Sequence, residues 1–308
     1  MFMLTILTQM IMLFAMMAIG FGLYRKEVVD APFSKKLSWL VVNIFNPLLA
    51  MDGILNGKGT ISVSELLSNL GLVILYFVIV ILFGSVLIFI LRPELKDHNV
   101  YHLMCTFANV GFMGIPVICS VFGTNCMIYI AMYVILYNFL LYTYGILVAA
   151  QSRKQESKEK ISITRAFNWG TISCLIAIVC FFLPVDIPEF VMKFLDYMGN
   201  ATIPLSMIMI GISIAQSDIK RMFQNGRMYL FVLLRMIVLP VLMLIIMRHF
   251  IQNPILLGVF VLELAMPVGS IVVLIAKENG ADEELCTNGI VLSTLLSIVT
   301  IPLVCLFF

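Results

Sequence analysis

Glu263 invites chemistry first. It is a carboxylate about nine residues into the apolar run PILLGVFVLELAMPVGSIVVLIA. A charge at that depth of a membrane helix is costly, which makes it a functional candidate. Its oxygens could hold Na⁺, or it could take up a proton; a purely structural, protonated or ion-paired Glu263 is the plain alternative. Nearby lie prolines, glycines and amides in an unusual arrangement: Asn109-Val-Gly-Phe-Met-Gly114-Ile-Pro116 in one apolar run and Glu263-Leu-Ala-Met-Pro267-Val-Gly269-Ser270 in another. Two further runs carry Asn46-Pro47 and Asn200-Ala-Thr-Ile-Pro204. Proline removes a helical hydrogen bond and clashes with the preceding turn. Lipid cannot satisfy the freed groups, so such breaks persist only against protein or a water-filled cavity. A broken helix then offers N–H groups and partial positive charge to an anion at one half's start, and carbonyls to a cation at the other half's end. Simple proline kinks would explain any one of these motifs. Two matched pairs point to a shared site, in which Asn46, Pro47, Asn109, Gly114, Pro116, Asn200, Pro204, Pro267, Gly269 and Ser270 line a substrate path. Glu263, Asn109 and Thr106 are candidates for a coupling ion. Arg235, about eight residues or ~12 Å from its helix end, could face a substrate carboxylate, or more plainly snorkel to the interface or pair structurally.

These residues need a membrane scaffold. Of 308 residues, 62% are hydrophobic and 12% charged, and the mean hydropathy is +1.08. Soluble domains carry about 25% charged residues, and their surface cannot hide so much apolar area. A crossing takes about 20 apolar residues. The runs near 4–24, 36–54, 66–91, 101–122, 126–150, 167–184, 197–216, 228–248, 254–276 and 286–307 predict ten transmembrane helices in an all-α protein. The first run lacks a positive leading region and is read as retained rather than as a signal peptide. Alternate loops hold fifteen of the nineteen Lys and Arg against three in the other set, with Arg235 inside a helix. Positive loops stay inside, so both termini face outward, in a plasma or inner membrane. The charged stretch 151–166 is a solvated cytoplasmic linker. It divides the chain into residues 1–150 and 167–308, each with five helices. An odd number gives the two repeats opposite orientation, an inverted repeat with broken crossover helices 4 and 9.

The segments CTFANVGFMGIPVICSVFG and LELAMPVGSIVVLIAKENGADEELCTNGIVLSTLLSIVTIPL, together with NPLL at 46–49, resemble the auxin efflux carrier family, and the likeness extends over nearly the whole chain. That family is similar in fold to sodium–bile acid symporters. The resemblance implies a scaffold of helices 1, 2, 6 and 7, commonly dimeric, and a moving transport domain of helices 3–5 and 8–10. It implies an organic-anion substrate carried by elevator-type alternating access, with bacterial relatives associated with dicarboxylates such as malonate or malate. Glu263 and Asn109 match an acid and an asparagine near the ion site of the sodium symporters; plant auxin carriers generally lack the acid. The long hydrophilic loop of many plant members is absent, so regulation through it is not implied.

Other residues read more plainly. Asn138 suits helix–helix hydrogen bonding. Tyr133, Tyr137, Tyr142 and Tyr144 suit packing, and Asp52 suits the outer surface. His98 and His102 have i, i+4 spacing, which can bind metal on a helix, but no cysteine accompanies them; His249 stands at a helix end. The seven cysteines are packing residues. No nucleotide-binding GxxxxGK[ST] motif, nucleophile–base set or cofactor motif appears, which argues against an enzyme and an ATP-driven pump. A net charge of +2 gives no nucleic-acid signature. An uncoupled facilitator or channel and an anion-binding sensor are the rival functions.

Overall fold

The computed structural model describes residues 2–56, 62–123, 126–151, 169–183, 187–216, 225–278 and 280–308. The linker at 151–166 lies outside the described residues except for Gln151. The described residues are helical: α1 Phe2–Arg25, α2 Ala31–Asn56, α3 Val63–Leu91, α4a His98–Thr106, α4b Val110–Phe122, α5 Met127–Ala150, α6 Trp169–Phe182, α7 Glu189–Gln216, α8 Gly226–Met247, α9a Pro254–Ala265, α9b Ile271–Glu278 and α10 Glu283–Cys305. Seven of these, α1, α2, α3, α5, α7, α8 and α10, are long and apolar enough to cross a membrane; α4b, α6 and α9a are apolar but shorter.

Most helix boundaries fall within a few residues of the sequence reading, and the exceptions have local causes. α2 begins at Ala31 because Asp30 accepts the Phe33 N–H at 2.8 Å and Pro32 occupies the first turn, where a missing N–H costs nothing. α7 begins at Glu189, eight residues before the expected apolar stretch. Its opening turns carry an exposed Lys193–Glu189 pair at 2.6 Å, so a search for apolar runs passes over them. Lys193 is therefore helical rather than in a loop.

The chain forms two compact units. The first comprises 1–70, 111–135 and 167–217, the second 71–110, 136–166 and 218–308. In the first unit α1 packs along α7, and α2 packs against both α6 and α7. The α1–α7 contact is very close: a Cβ on Gly20 would run into the Ile208 carbonyl, and one on Gly211 into the Met17 carbonyl. Reciprocal glycines of this kind let membrane helices meet backbone to backbone. Neither Pro47 nor Pro204 breaks its helix. A π-helical turn, Val41–Phe45, precedes Pro47, and Pro204 lies within continuous α7. Thr202 donates to the Phe45 carbonyl at 3.1 Å, giving a partner to a backbone group in the turn just before Pro47.

In the second unit α8 packs on α9a and α10, and α4a packs on α5 and α10. Its core includes Tyr76, Tyr101, Phe107, Phe231 and Phe260, all at most 2% exposed.

Candidate functional site

α4a ends at Thr106 and α9a at Ala265, and both chains then unwind. Phe107 caps α4a with φ −108° and ψ 86°, and Met266 caps α9a with φ −64° and ψ 145°. The two unwound stretches pair. The Asn109 N–H donates to the Pro267 carbonyl at 2.7 Å, and the Gly269 N–H donates to the Phe107 carbonyl at 2.9 Å. Ala108 and Val268 thus face each other across an antiparallel bridge, a single β-like rung pair among helices. This pairing answers the requirement that broken backbone in hydrocarbon find partners inside the protein.

The location of the first break corrects the sequence expectation. The sequence pattern matches Pro116 with Pro267, which places the break near Pro116. The chain instead opens at 107–109, while Gly114 and Pro116 lie buried at the start of the α-helical part of α4b, in the first compact unit. Proline at the second position of a helix fits without loss. Across the bridge Pro267 meets Asn109 and Phe107 meets Gly269, so the first break holds no proline for a search to find.

Gly269 is fixed by space. A Cβ there would sit 2.8 Å from the Tyr137 hydroxyl and 2.9 Å from the Ala108 carbonyl oxygen, so only glycine fits without a shift. Tyr137 also meets Phe107 edge to face at 5.5 Å, which anchors the same corner from α5. Tyr137 is therefore part of the wall around the break. Ser293 of α10, absent from the sequence reading, accepts the Val268 N–H at 3.1 Å and donates to the Ile290 carbonyl at 3.1 Å. Ser293, Ser297 and Thr300 recur at helical spacing, a pattern too ordinary in a membrane helix to mark them in sequence, and all are at most 5% exposed.

Glu263 is fully buried in the last turn of α9a, and Asn109 is 5% exposed. Thr106 donates to the His102 carbonyl at 2.9 Å, so its proton is engaged while its oxygen can still accept or ligate. Ser270 is half-buried beside the start of α9b. Arg235 does not snorkel. It is 2% exposed; its Nε donates to the Cys105 carbonyl at 2.8 Å and its Nη1 to the Leu264 carbonyl. Tyr76 of α3, fully buried, lies close to both Arg235 and Glu263.

Thr106, Asn109, Arg235, Glu263, Pro267, Gly269 and Ser270 all belong to the second compact unit. Asn46, Pro47, Asn200 and Pro204 belong to the first. There, Asn200 is exposed and donates to Asp196 at 2.9 Å, and Pro47 is buried in α2. Asp52, expected at the surface, is 7% exposed and accepts from Asn56 at 2.9 Å. Asn138 is half-buried on α5. His102 pairs with the Tyr144 hydroxyl at 2.6 Å, and His98 lies 3.3 Å from the Pro93 carbonyl. The described residues contain no group of three or more His, Cys, Asp or Glu able to hold a metal.

A family model described as "Membrane transport protein" matches residues 5–305. The "Putative malonate transporter" of Rhizobium meliloti is 22% identical over 293 residues, covering 91% of this chain and 89% of that protein. An uncharacterized transporter of Methanocaldococcus jannaschii is 26% identical over 65% of this chain and 64% of its own length. Another, from Methanothermobacter thermautotrophicus, is 26% identical over 63% of each. With the family model spanning almost every residue around the paired breaks, the chain belongs to the membrane transport protein family, that of the auxin efflux carriers.

Proposed function

We propose that this protein is a secondary transporter of a small carboxylate, with a dicarboxylate of the malonate class as the first substrate to test. One observation carries the reading: two interrupted helices pair at their unwound centres, with a new helix starting just beyond each. The N–H groups of Ser270 and Ile271 at the start of α9b, beyond the engaged Gly269 N–H, suit an anion. Glu263, Asn109 and Thr106 supply the oxygens for a coupling ion, Na⁺ or H⁺, as transporters with broken helices arrange it. The relative's name supports the substrate class.

The same reading gives ten crossings in two inverted repeats, with α4 and α9 each spanning as two halves and both termini outside the plasma or inner membrane. The packing supports it. An inverted repeat exchanges helix 1 with 6 and 2 with 7, and α1 lies on α7 while α6 lies on α2. The bridge is likewise reciprocal about Ala108 and Val268. Transport proceeds by elevator-type alternating access, in which helices 3–5 and 8–10 move and helices 1, 2, 6 and 7 form a dimeric scaffold. The compact unit that contains α1, α2, α6 and α7 supports such a scaffold, and it also takes in residues 111–135 of α4b and α5, which the elevator reading assigns to the moving part.

The test is uptake into proteoliposomes. Labelled malonate, malate, monocarboxylates and indole acids would be offered with and without Na⁺ and a pH gradient. The expected result is saturable uptake of one carboxylate class driven by a cation gradient, with the gradient dependence lost in Glu263→Gln. Absence of uptake and of counterflow for every acid in the panel overturns the transport reading.

A further inference from the structure

Arg235 stands out as a buried charge two of whose donors meet main chain. The two acceptors, the Cys105 and Leu264 carbonyls, lie in the last turns of α4a and α9a. A helix end leaves up to four carbonyls without intrahelical partners and carries about half a unit of negative charge. Two such ends meeting in a buried place present about one negative charge in total. Converging main-chain oxygens are also what a hard cation takes as ligands. α8 brings the guanidinium there through a π-helical turn, Leu234–Val238, with Arg235 inside it and Pro240 following. Turns of that kind re-aim a side chain and often occur at working sites. The charged and titratable neighbours are Glu263 from α9a, Tyr76 from α3 and the Cys105 thiol from α4a.

We propose that the Arg235 guanidinium is a tethered resident cation at the meeting of the two half-helix C-termini, standing where a free Na⁺ would otherwise bind. The cycle is then independent of Na⁺. This rests on the transport reading above and narrows its coupling ion to the proton.

The experiment reads thermal unfolding of the purified protein in detergent, so it needs no substrate. Wild type, Arg235→Lys and Arg235→Ala are melted in Na⁺, K⁺ or choline chloride at equal ionic strength. Guanidinium or urea is then added at low millimolar concentration, far below denaturing levels. Wild type is expected to melt at the same temperature in all three salts. Arg235→Ala should melt about 10 °C lower, as expected when a buried charge is removed from its partners. Guanidinium should restore much of that loss and neutral urea none of it, and Arg235→Lys should lie between. A melting temperature of wild type that rises in Na⁺ relative to K⁺ overturns the proposal. So does an Arg235→Ala protein that guanidinium and urea affect alike. If Arg235→Ala does not accumulate, wild type and Arg235→Lys decide it, and a specific response to Na⁺ in either counts against the tethered cation. Failure to transport any acid would leave these melts standing, whereas Na⁺-driven uptake would refute the resident cation and leave transport intact.

Discussion

At the scale of single residues, the site rests on side chains that serve the backbone. Gly269 leaves room for two carbonyl oxygens and a hydroxyl. Gly269→Ala is expected to lower stability by about 1–3 kcal/mol, the usual cost of overpacking, and to abolish carboxylate uptake in proteoliposomes. Retained uptake at wild-type stability would show that the corner is loose. A second prediction concerns Cys119 and Cys126, whose sulfurs lie 3.8 Å apart. Closing a disulfide requires about 2.05 Å between them, so a shift of less than about 2 Å suffices. Diamide should therefore form an intramolecular bond between these two, seen as a peptide pair linked in a non-reducing mass spectrum; linkage to other cysteines would contradict the geometry. Glu263, Asn109, Pro267 and Gly269 were legible in the sequence because acids, amides, prolines and glycines look out of place in an apolar run. Phe107 and Ser293 were not, since a phenylalanine and a serine in a membrane helix look ordinary. The role of Arg235 was half legible: its charge was conspicuous, but its contacts lie 130 and 29 residues away in sequence.

At the scale of elements, length and hydropathy located the helices well, because about 20 apolar residues are needed wherever a chain crosses lipid. They failed where the backbone finds another solution. A π turn lets α2 pass Pro47 without breaking, and α7 absorbs Pro204 within a continuous helix, so these prolines do not mark ends as those in α4 and α9 were expected to. The close α1–α7 contact depends on Gly20 and Gly211 meeting opposing carbonyls. Either glycine replaced by valine would force the helices apart. The expected loss is several kcal/mol, more than the about 1–3 kcal/mol of ordinary overpacking, because backbone rather than a flexible side chain must move. Thermal unfolding of Gly20→Val and Gly211→Val measures it, and a melting temperature within a degree of wild type would mean that the contact is dispensable.

For the whole molecule, the charge bias makes the sharpest forecast. Single cysteines introduced at the two termini into a background lacking the native seven should react with an impermeant maleimide from outside intact cells, and a cysteine in the 151–166 linker should not. The opposite labelling would invert the topology. The sequence signals an inverted arrangement only through parity and repeated motifs. The pairing that brings the two halves of the chain together, Ala108 against Val268, spans 160 residues in sequence and leaves no side-chain signature. That pairing has a consequence for divergence. Its rungs join main-chain groups, so most side chains beside it can drift without altering the hydrogen bonds, and selection need hold only positions where space is short. A protein centred on such a rung can wander as far as 22% identity from a relative over 293 residues. The position expected to stay invariant across the family is the glycine at 269, and its neighbours Ala108 and Val268 are expected to vary among small and β-branched residues.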